Sequence, residues 1–171
     1  MISFIGSIHI KYNTLSRQHS SSNSSISSIK NKSGKRKIQR ILLVDDEPDI
    51  ITSFKIGLEG TGLFEVEAFT DPQLALSNFF KVGLGYYDLL LIDIKMQQMN
   101  GFELYQKIKH SFEKEKVDTS TAKVCFITAY EIYYETLKKE FPTLNTVGCF
   151  IKKPIAIEDL INRVKQELQL E

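Results

Sequence analysis

Apolar residues along this chain alternate between the spacing of strands and the spacing of helices. Short, nearly continuous apolar runs predict five strands, with polar residues or turns at their ends. These strands are expected at Ile41–Val44, Phe64–Phe69, Tyr87–Asp93, Lys123–Thr128 and Val147–Ile151. Each run is followed by apolar residues spaced three or four apart, which predicts a helix after every strand.

Turn and capping residues mark the helix ends. Pro48 opens the first helix, and Gly60 and Gly62 end it. The second helix starts at Thr70-Asp71-Pro72, and its inward face is expected to hold Leu74, Leu76, Phe79 and Phe80. Asn100-Gly101 marks a turn before a third helix, which a charged loop at Glu113–Asp118 follows. The last two helices are expected at Ile132–Glu140, before Pro142, and at Ile157–Leu168.

Five successive strand-then-helix units predict right-handed crossovers and a parallel sheet. The expected fold is α/β and flavodoxin-like: a doubly wound, five-stranded parallel sheet of order 2-1-3-4-5 with five helices. Ligands of such sheets bind beyond the carboxyl ends of the strands. The chemistry of the protein is therefore expected at those ends.

Charge divides the chain of 171 residues into two parts. Residues 1–40 contain eight Lys or Arg and no Asp or Glu, whereas the remainder is acidic. Because residues 1–36 are also rich in serine, they are predicted to form a disordered basic tail, with a folded domain at 37–171. A solvated linker is the favoured interpretation of the tail. A transit peptide, or an acidic or nucleic-acid partner for Lys32–Lys37, is an alternative.

Composition also limits the classes of function. No apolar run is long enough for a membrane helix, so no membrane insertion is expected. Cys125 and Cys149 lie in apolar stretches without a C-x-x-C motif. They are predicted to be buried, reduced thiols of a cytoplasmic protein.

Polar side chains are expected to meet at the strand ends. Asp45-Asp46 follows the first strand, Asp93 ends the third, Thr128 ends the fourth, and Lys152-Lys153 follows the fifth. Neighbouring carboxylates repel one another, and a divalent cation with oxygen ligands, Mg²⁺ or Mn²⁺, would relieve this repulsion. Three carboxylates, a metal, a hydroxyl and an ammonium suit phosphoryl transfer, with Asp93 as the nucleophile.

The strings ILLVDDEPDI, LLLIDIKMQQMNGFEL, ITAY and FIKKPI resemble the receiver domain of two-component response regulators, in particular a stand-alone, chemotaxis-regulator-like receiver. The resemblance covers residues 38 to about 169. It implies that Asp93 accepts a phosphoryl group from the phosphohistidine of a sensor histidine kinase. It also implies that Asp46, Asp93 and the main-chain carbonyl of Lys95 bind Mg²⁺, with Asp45 acting through water.

The same resemblance assigns roles to residues of the switch. Thr128 would be the switch hydroxyl and Phe150 the switch aromatic, while Lys153 matches the family lysine and its bond to Pro154 is expected to be cis. Lys95 and Tyr130 would tune dephosphorylation, because they flank the path of the attacking water, and a long-lived phosphoryl group is predicted. The chain departs from the family at Gln97, four residues after the acceptor, where proline is usual. It also has Phe150 where tyrosine is commoner.

The predicted protein is a single-domain regulator that catalyses only its own phosphorylation and dephosphorylation and is not a conventional enzyme. It would signal through the surface of the fourth predicted helix, the fifth strand and the last helix, where Tyr133 or Tyr134 is expected to contact a downstream protein. No direct DNA binding by the domain is expected, and homodimerisation on phosphorylation is left open. The alternative is a pseudo-receiver, an interaction module that never takes phosphate. A haloacid-dehalogenase-like phosphatase is disfavoured because Lys95 stands where its second aspartate would be, and a nucleotide-binding module is disfavoured because no phosphate-cradling glycine motif is present.

Overall fold

The computed structural model describes residues 37–115, 122–129 and 149–170. Its strands are β1 (Gln39–Val44), β2 (Phe64–Phe69), β3 (Leu89–Asp93), β4 (Lys123–Thr128) and β5 (Cys149–Lys152). The helices of these residues are α1 (Pro48–Glu59), α2 (Pro72–Val82), α3 (Gly101–Glu115) and α4 (Ile157–Leu168). The helix predicted at Ile132–Glu140 lies outside the described residues.

All five strands form one parallel sheet in the order β2-β1-β3-β4-β5. Val44 pairs with Phe69 on one side and with Ile92 on the other, and Thr128 pairs with Lys152. The carboxyl ends of the strands therefore lie at one edge of the sheet. This confirms the predicted α/β fold and strand order, although β1 begins two residues earlier and β3 two residues later than expected.

Both faces of the sheet are covered, which explains why the central strands are apolar at almost every position. Leu42, Val44, Leu90 and Ile92 pack with α2 and α3, whereas Ile41, Leu43, Leu89 and Leu91 pack with α1 and α4. Among the described residues, no helix has the length and apolar character needed to cross a membrane.

Side-chain caps fix where two helices begin. Asp71 accepts hydrogen bonds from the main-chain N–H groups of Gln73 (2.7 Å) and Leu74 (3.4 Å), as the predicted start of α2 requires. Asn100 accepts from the N–H groups of Phe102 and Glu103, and the Glu103 carboxylate accepts from the N–H of Asn100. This reciprocal capping box sets the start of α3 directly after the loop that follows β3.

The prediction for the inward face of α2 was partly wrong. Leu74 and Phe80 are 60% and 50% exposed, whereas Ala75 and Phe79 are buried. At about 100° per residue, Leu74 lies nearly opposite Phe79, so both cannot face the sheet. The third helix also continues to Glu115, beyond the start of the charged loop that was predicted at Glu113.

Cys125 and Cys149 are buried as predicted, but they form a disulfide rather than two reduced thiols. The two residues pair directly across β4 and β5, and their Cα atoms lie 4.4 Å apart, which is within the range for a disulfide. The absence of a C-x-x-C motif was a poor guide because sheet pairing joins residues that are distant in sequence.

Candidate functional site

A buried polar cluster lies at the carboxyl edge of the sheet, where the sequence predicted the chemistry. Asp45 follows β1, Asp93 and Thr128 are the last residues of β3 and β4, and Lys153 follows β5. All four are at most 9% exposed. Four polar residues from distant parts of the sequence are thus brought to one edge of the sheet by the strand order.

Lys153 is the centre of this cluster. Its ammonium nitrogen lies 2.6 Å from Asp45 Oδ2, 2.9 Å from Asp93 Oδ1 and 3.2 Å from Glu47 Oε1. Its main-chain N–H donates to the carbonyl of Thr128 at 2.8 Å, and its bond to Pro154 is cis, as the family resemblance implied. Sequence reasoning missed the contact with Glu47, for which the only available signal was its position next to the aspartate pair.

Burial dominates the ionisation of the two inner carboxylates. It raises the pKa of Asp93 to about 6, although the hydrogen bond and charge of Lys153 act in the opposite direction. Burial likewise raises the pKa of Asp45 above its ordinary value, again against the effect of Lys153. Burial alone would lower the pKa of Lys153, but its bonds to Asp45 and Asp93 outweigh burial and raise that pKa.

The carboxylates suit a divalent cation. Asp45 Oδ1 accepts from the main-chain N–H of Glu47 at 3.1 Å, and the buried Oδ2 lies 2.6 Å from the ammonium of Lys153. A cluster of buried carboxylates that offers oxygen ligands only fits Mg²⁺ or Mn²⁺. The residues present are therefore compatible with the metal that the sequence suggested.

The other predicted metal ligands lie around this cluster. Asp46 is half-buried, and its Oδ2 accepts a hydrogen bond from the main-chain N–H of Gln97 at 3.0 Å. The main-chain N–H of Lys95 donates a hydrogen bond to the Asp93 carboxylate, which places the loop after β3 against that side chain. The ligand roles of Asp46 and of the Lys95 carbonyl remain predictions.

Gly101 allows the end of that loop to lie close to Asp93. Its N–H donates to the carbonyl of Ile94 at 3.0 Å. A Cβ on Gly101 would collide with the carbonyl oxygen of Asp93 and approach Ile92 Cγ2 to 2.9 Å. The sequence indicated only a turn at this position, and the close approach gives the physical reason for the glycine.

The predicted switch aromatic, Phe150, is half-buried. Its ring centre lies 5.7 Å from that of Phe126, which itself packs against Phe102 and Tyr105. Tyr130, Tyr133 and Tyr134 lie outside the described residues, so their predicted roles remain predictions.

Comparison with known proteins shows which family this chain resembles. A family model described as the response regulator receiver domain matches residues 41–165. The transcriptional regulatory protein TrcR of Mycobacterium tuberculosis is 32% identical over 128 residues, which cover 74% of this chain and 44% of the relative. The curated relatives are longer proteins, and the match spans about half of their length or less.

Solved structures agree with this match. A CheY-like response regulator receiver domain protein from Methanospirillum hungatei is 30% identical, with a TM-score of 0.59, covering 78% of this chain and 95% of its own. The response regulator protein TrrA from Thermotoga maritima, in complex with Mg(2+)-BeF, is 29% identical, with a TM-score of 0.59. That match covers 75% of this chain and 98% of TrrA.

Proposed function

Because this chain belongs to the response regulator receiver domain family, a signalling module of two-component systems, we propose that it accepts a phosphoryl group on Asp93 from the phosphohistidine of a sensor histidine kinase. The transfer would require Mg²⁺, and the resulting acyl phosphate would switch a surface that binds a downstream protein. Family membership supports the class of function, and the arrangement of this chain's own residues supports the acceptor.

The observation that carries the proposal is the position of Asp93. This carboxylate ends β3, is 4% exposed, and lies 2.9 Å from the ammonium of Lys153. A buried carboxylate beside a fixed cation is arranged to receive a group whose negative charge the cation can balance. Asp93 is the carboxylate of the cluster that ends a strand, β3, which lies between β1 and β4.

In the proposed reaction, an oxygen of Asp93 forms a bond to phosphorus while the bond from phosphorus to the histidine nitrogen breaks. The electron pair of that broken bond stays on the imidazole. Lys153 would pair with a phosphoryl oxygen, and Thr128 would hydrogen-bond another. Asp46, Asp93 and the Lys95 carbonyl would hold Mg²⁺, with Asp45 acting through water; the ion supplies neutralisation of charge on the phosphoryl oxygens.

The family resemblance suggests the switch, and the strand pairing is compatible with it. Thr128 ends β4. Phe150, on β5, pairs with Phe126, which precedes Thr128 by two residues on β4. Movement of the Thr128 hydroxyl toward a phosphoryl group would open space into which the Phe150 ring turns, which changes the surface beside β5. We propose that a downstream protein binds this changed surface where it includes Tyr133 and Tyr134. Lys95 and Tyr130 would tune dephosphorylation, and the bulky Tyr130 would slow it by shielding the acyl phosphate.

The experiment is the intact mass of the protein after incubation with phosphoramidate, with and without Mg²⁺. Wild type should gain one phosphoryl group in the presence of Mg²⁺ and none when EDTA replaces it. Asp93→Asn is the matched variant because it keeps the size of the side chain and removes the nucleophilic carboxylate. This variant should gain nothing under either condition.

Two outcomes would change the conclusion. If the folded wild type gains no mass while Mg²⁺ is present, the acceptor proposal fails and the chain is a pseudo-receiver used for binding alone. If Asp93→Asn gains a phosphoryl group as readily as wild type, the acceptor is another residue. Asp88→Asn serves as a second control, since Asp88 pairs with Lys37 before the start of β3, and it should be phosphorylated like wild type.

A further inference from the structure

The hydrogen bond between Gln97 and Asp46 depends on a residue that departs from the family pattern. The main-chain N–H of Gln97 donates to Asp46 Oδ2 at 3.0 Å. Proline, which is usual at this position, has no N–H and cannot donate this bond. The departure therefore gives the chain a donor that its relatives with proline lack.

This bond joins the two segments that would supply metal ligands. Asp46 lies between β1 and α1, whereas Gln97 lies between β3 and α3, 51 residues away in sequence. The carbonyl of Lys95, the other predicted ligand from the second segment, is only two residues from Gln97. The bond at Gln97 therefore ties the Asp46 carboxylate to the segment that carries the Lys95 carbonyl.

The segment that carries Gln97 is held firmly at its ends. The N–H of Ile94 donates to the carbonyl of Ile127 at 2.9 Å, and the N–H of Gly101 donates back to the carbonyl of Ile94. Between these bonds, Met96 and Met99 are buried, so the exposed residues Gln97 and Gln98 form the tip. Gln98 adopts a left-handed conformation with φ of 65°, which turns the chain back at this tip.

We propose that the main-chain N–H of Gln97 is a positioning group that holds the Asp46 carboxylate in its metal-binding orientation. This inference rests on the proposed Mg²⁺-dependent function. One carboxylate oxygen is occupied by the N–H, which leaves the other for the cation and removes side-chain freedom before the ion arrives. Groups that orient metal ligands in this way commonly change metal affinity by tenfold or more when they are removed.

The test compares Mg²⁺ affinity, measured by isothermal titration calorimetry, in wild type, Gln97→Pro and Gln97→Ala. Gln97→Pro removes the N–H by introducing the residue that is usual at this position in the family. Gln97→Ala removes the side chain but keeps the N–H, so it isolates the main-chain donor. Gln97→Pro should bind Mg²⁺ about tenfold more weakly than wild type. Gln97→Ala should stay within about twofold of wild type, because its main-chain donor is intact.

A second measurement keeps the inference falsifiable if proline disturbs the loop. Hydrogen exchange of the Gln97 amide is followed by NMR in wild type, with and without saturating Mg²⁺. Slow exchange in both states is expected, because a positioning group keeps its bond while the metal is bound. Rapid exchange once Mg²⁺ binds would show that the N–H and the ion compete for the Asp46 carboxylate, and it would overturn the inference.

The outcomes separate this inference from the proposed function. If wild type binds Mg²⁺ and Gln97→Pro, folded as judged by urea unfolding in EDTA, binds it equally or more tightly, the inference fails while the proposed function stands. If wild type binds no Mg²⁺, both fail. If Gln97→Ala loses as much affinity as Gln97→Pro, the side chain acts instead, and the assignment to the main chain is wrong.

Discussion

Replacing Asp93 by asparagine should stabilise the metal-free protein at neutral pH, although the same change abolishes the proposed phosphorylation. Asparagine is close in shape to the protonated carboxyl and carries no charge. The difference in free energy of unfolding between the variant and wild type therefore measures how much the ionised Asp93 carboxylate destabilises the folded state. Functional residues often reduce stability, so a variant that removes one can be more stable than wild type.

The magnitude follows from the pKa of Asp93. Burial raises this pKa to about 6 from its ordinary value of 3.8. Since one pKa unit corresponds to about 1.4 kcal/mol, the ionised carboxylate lowers the free energy of unfolding by about 3 kcal/mol at pH 7.5. The side chain is 6% exposed, so solvent screening reduces this value little. Relaxation around the site makes about 2–3 kcal/mol the expected gain for Asp93→Asn.

The gain should depend on pH with a definite sign. Between about pH 4 and pH 6 the native state binds the proton of Asp93 more tightly than the unfolded state does. The wild type therefore loses stability as the pH rises through this window, whereas asparagine does not titrate. At pH 5 the advantage of Asp93→Asn should fall to about half of its value at pH 7.5, since Asp93 is then largely protonated in the native state.

The assay is urea unfolding in EDTA at pH 5.0 and 7.5, followed by circular dichroism because the chain has no tryptophan. Asp88→Asn is the control, since it makes the same chemical change where the carboxylate pairs with Lys37 at 2.6 Å and accepts from the N–H of Arg40. It should not stabilise the protein at either pH. The reasoning is refuted if Asp93→Asn is no more stable than wild type at pH 7.5, or if its advantage is the same at both pH values.

Three further changes, two at the site and one in the core, are tested by urea unfolding in EDTA. Lys153→Met should lower the free energy of unfolding by about 3–5 kcal/mol at pH 7.5 and by less at pH 5, because it leaves Asp93 and Asp45 buried without a cation. A loss that is the same at both pH values would contradict this. Gly101→Ala should cost about 2 kcal/mol, since its Cβ collides with the Asp93 carbonyl, and unchanged stability would show that the loop yields. Tyr87→Phe should cost about 1–2 kcal/mol, because its hydroxyl donates to Glu67 at 2.6 Å in a buried position; a neutral result would show that Glu67 is satisfied by its other donors.

The sequence correctly predicted the strands, because each is marked by a pattern of apolar residues within a short stretch of chain. The five apolar runs marked the strands because a buried parallel strand is apolar on both faces, and the polar residues at their ends marked the site. Asp93, Asp45 and Lys153 could be connected because the strand order of this fold brings those ends to one edge. Glu47 was missed because its contact with Lys153 depends on side-chain reach across the sheet edge.

The errors arose where three-dimensional neighbours decide the outcome. Leu74 and Phe80 are apolar, yet the rotation of α2 about its axis turns them toward solvent. Cys125 and Cys149 meet through strand pairing that no local motif reveals. The bond from Gln97 to Asp46 uses a main-chain N–H, which every residue except proline carries, so only the absence of proline hinted at it.

The strand order has a consequence for how the protein is made. During synthesis from the amino terminus, β1, β2 and β3 are complete before β5 exists, and these three strands are neighbours in the sheet. Asp45 and Asp93 can therefore come together on the nascent chain while Lys153, their counter-charge, has yet to be synthesised. Until Lys153 has been synthesised, we expect β1, β2 and β3 to stay apart, or to pair with the two carboxylates protonated or bound to a cation from solution. Lys153 then completes the cluster.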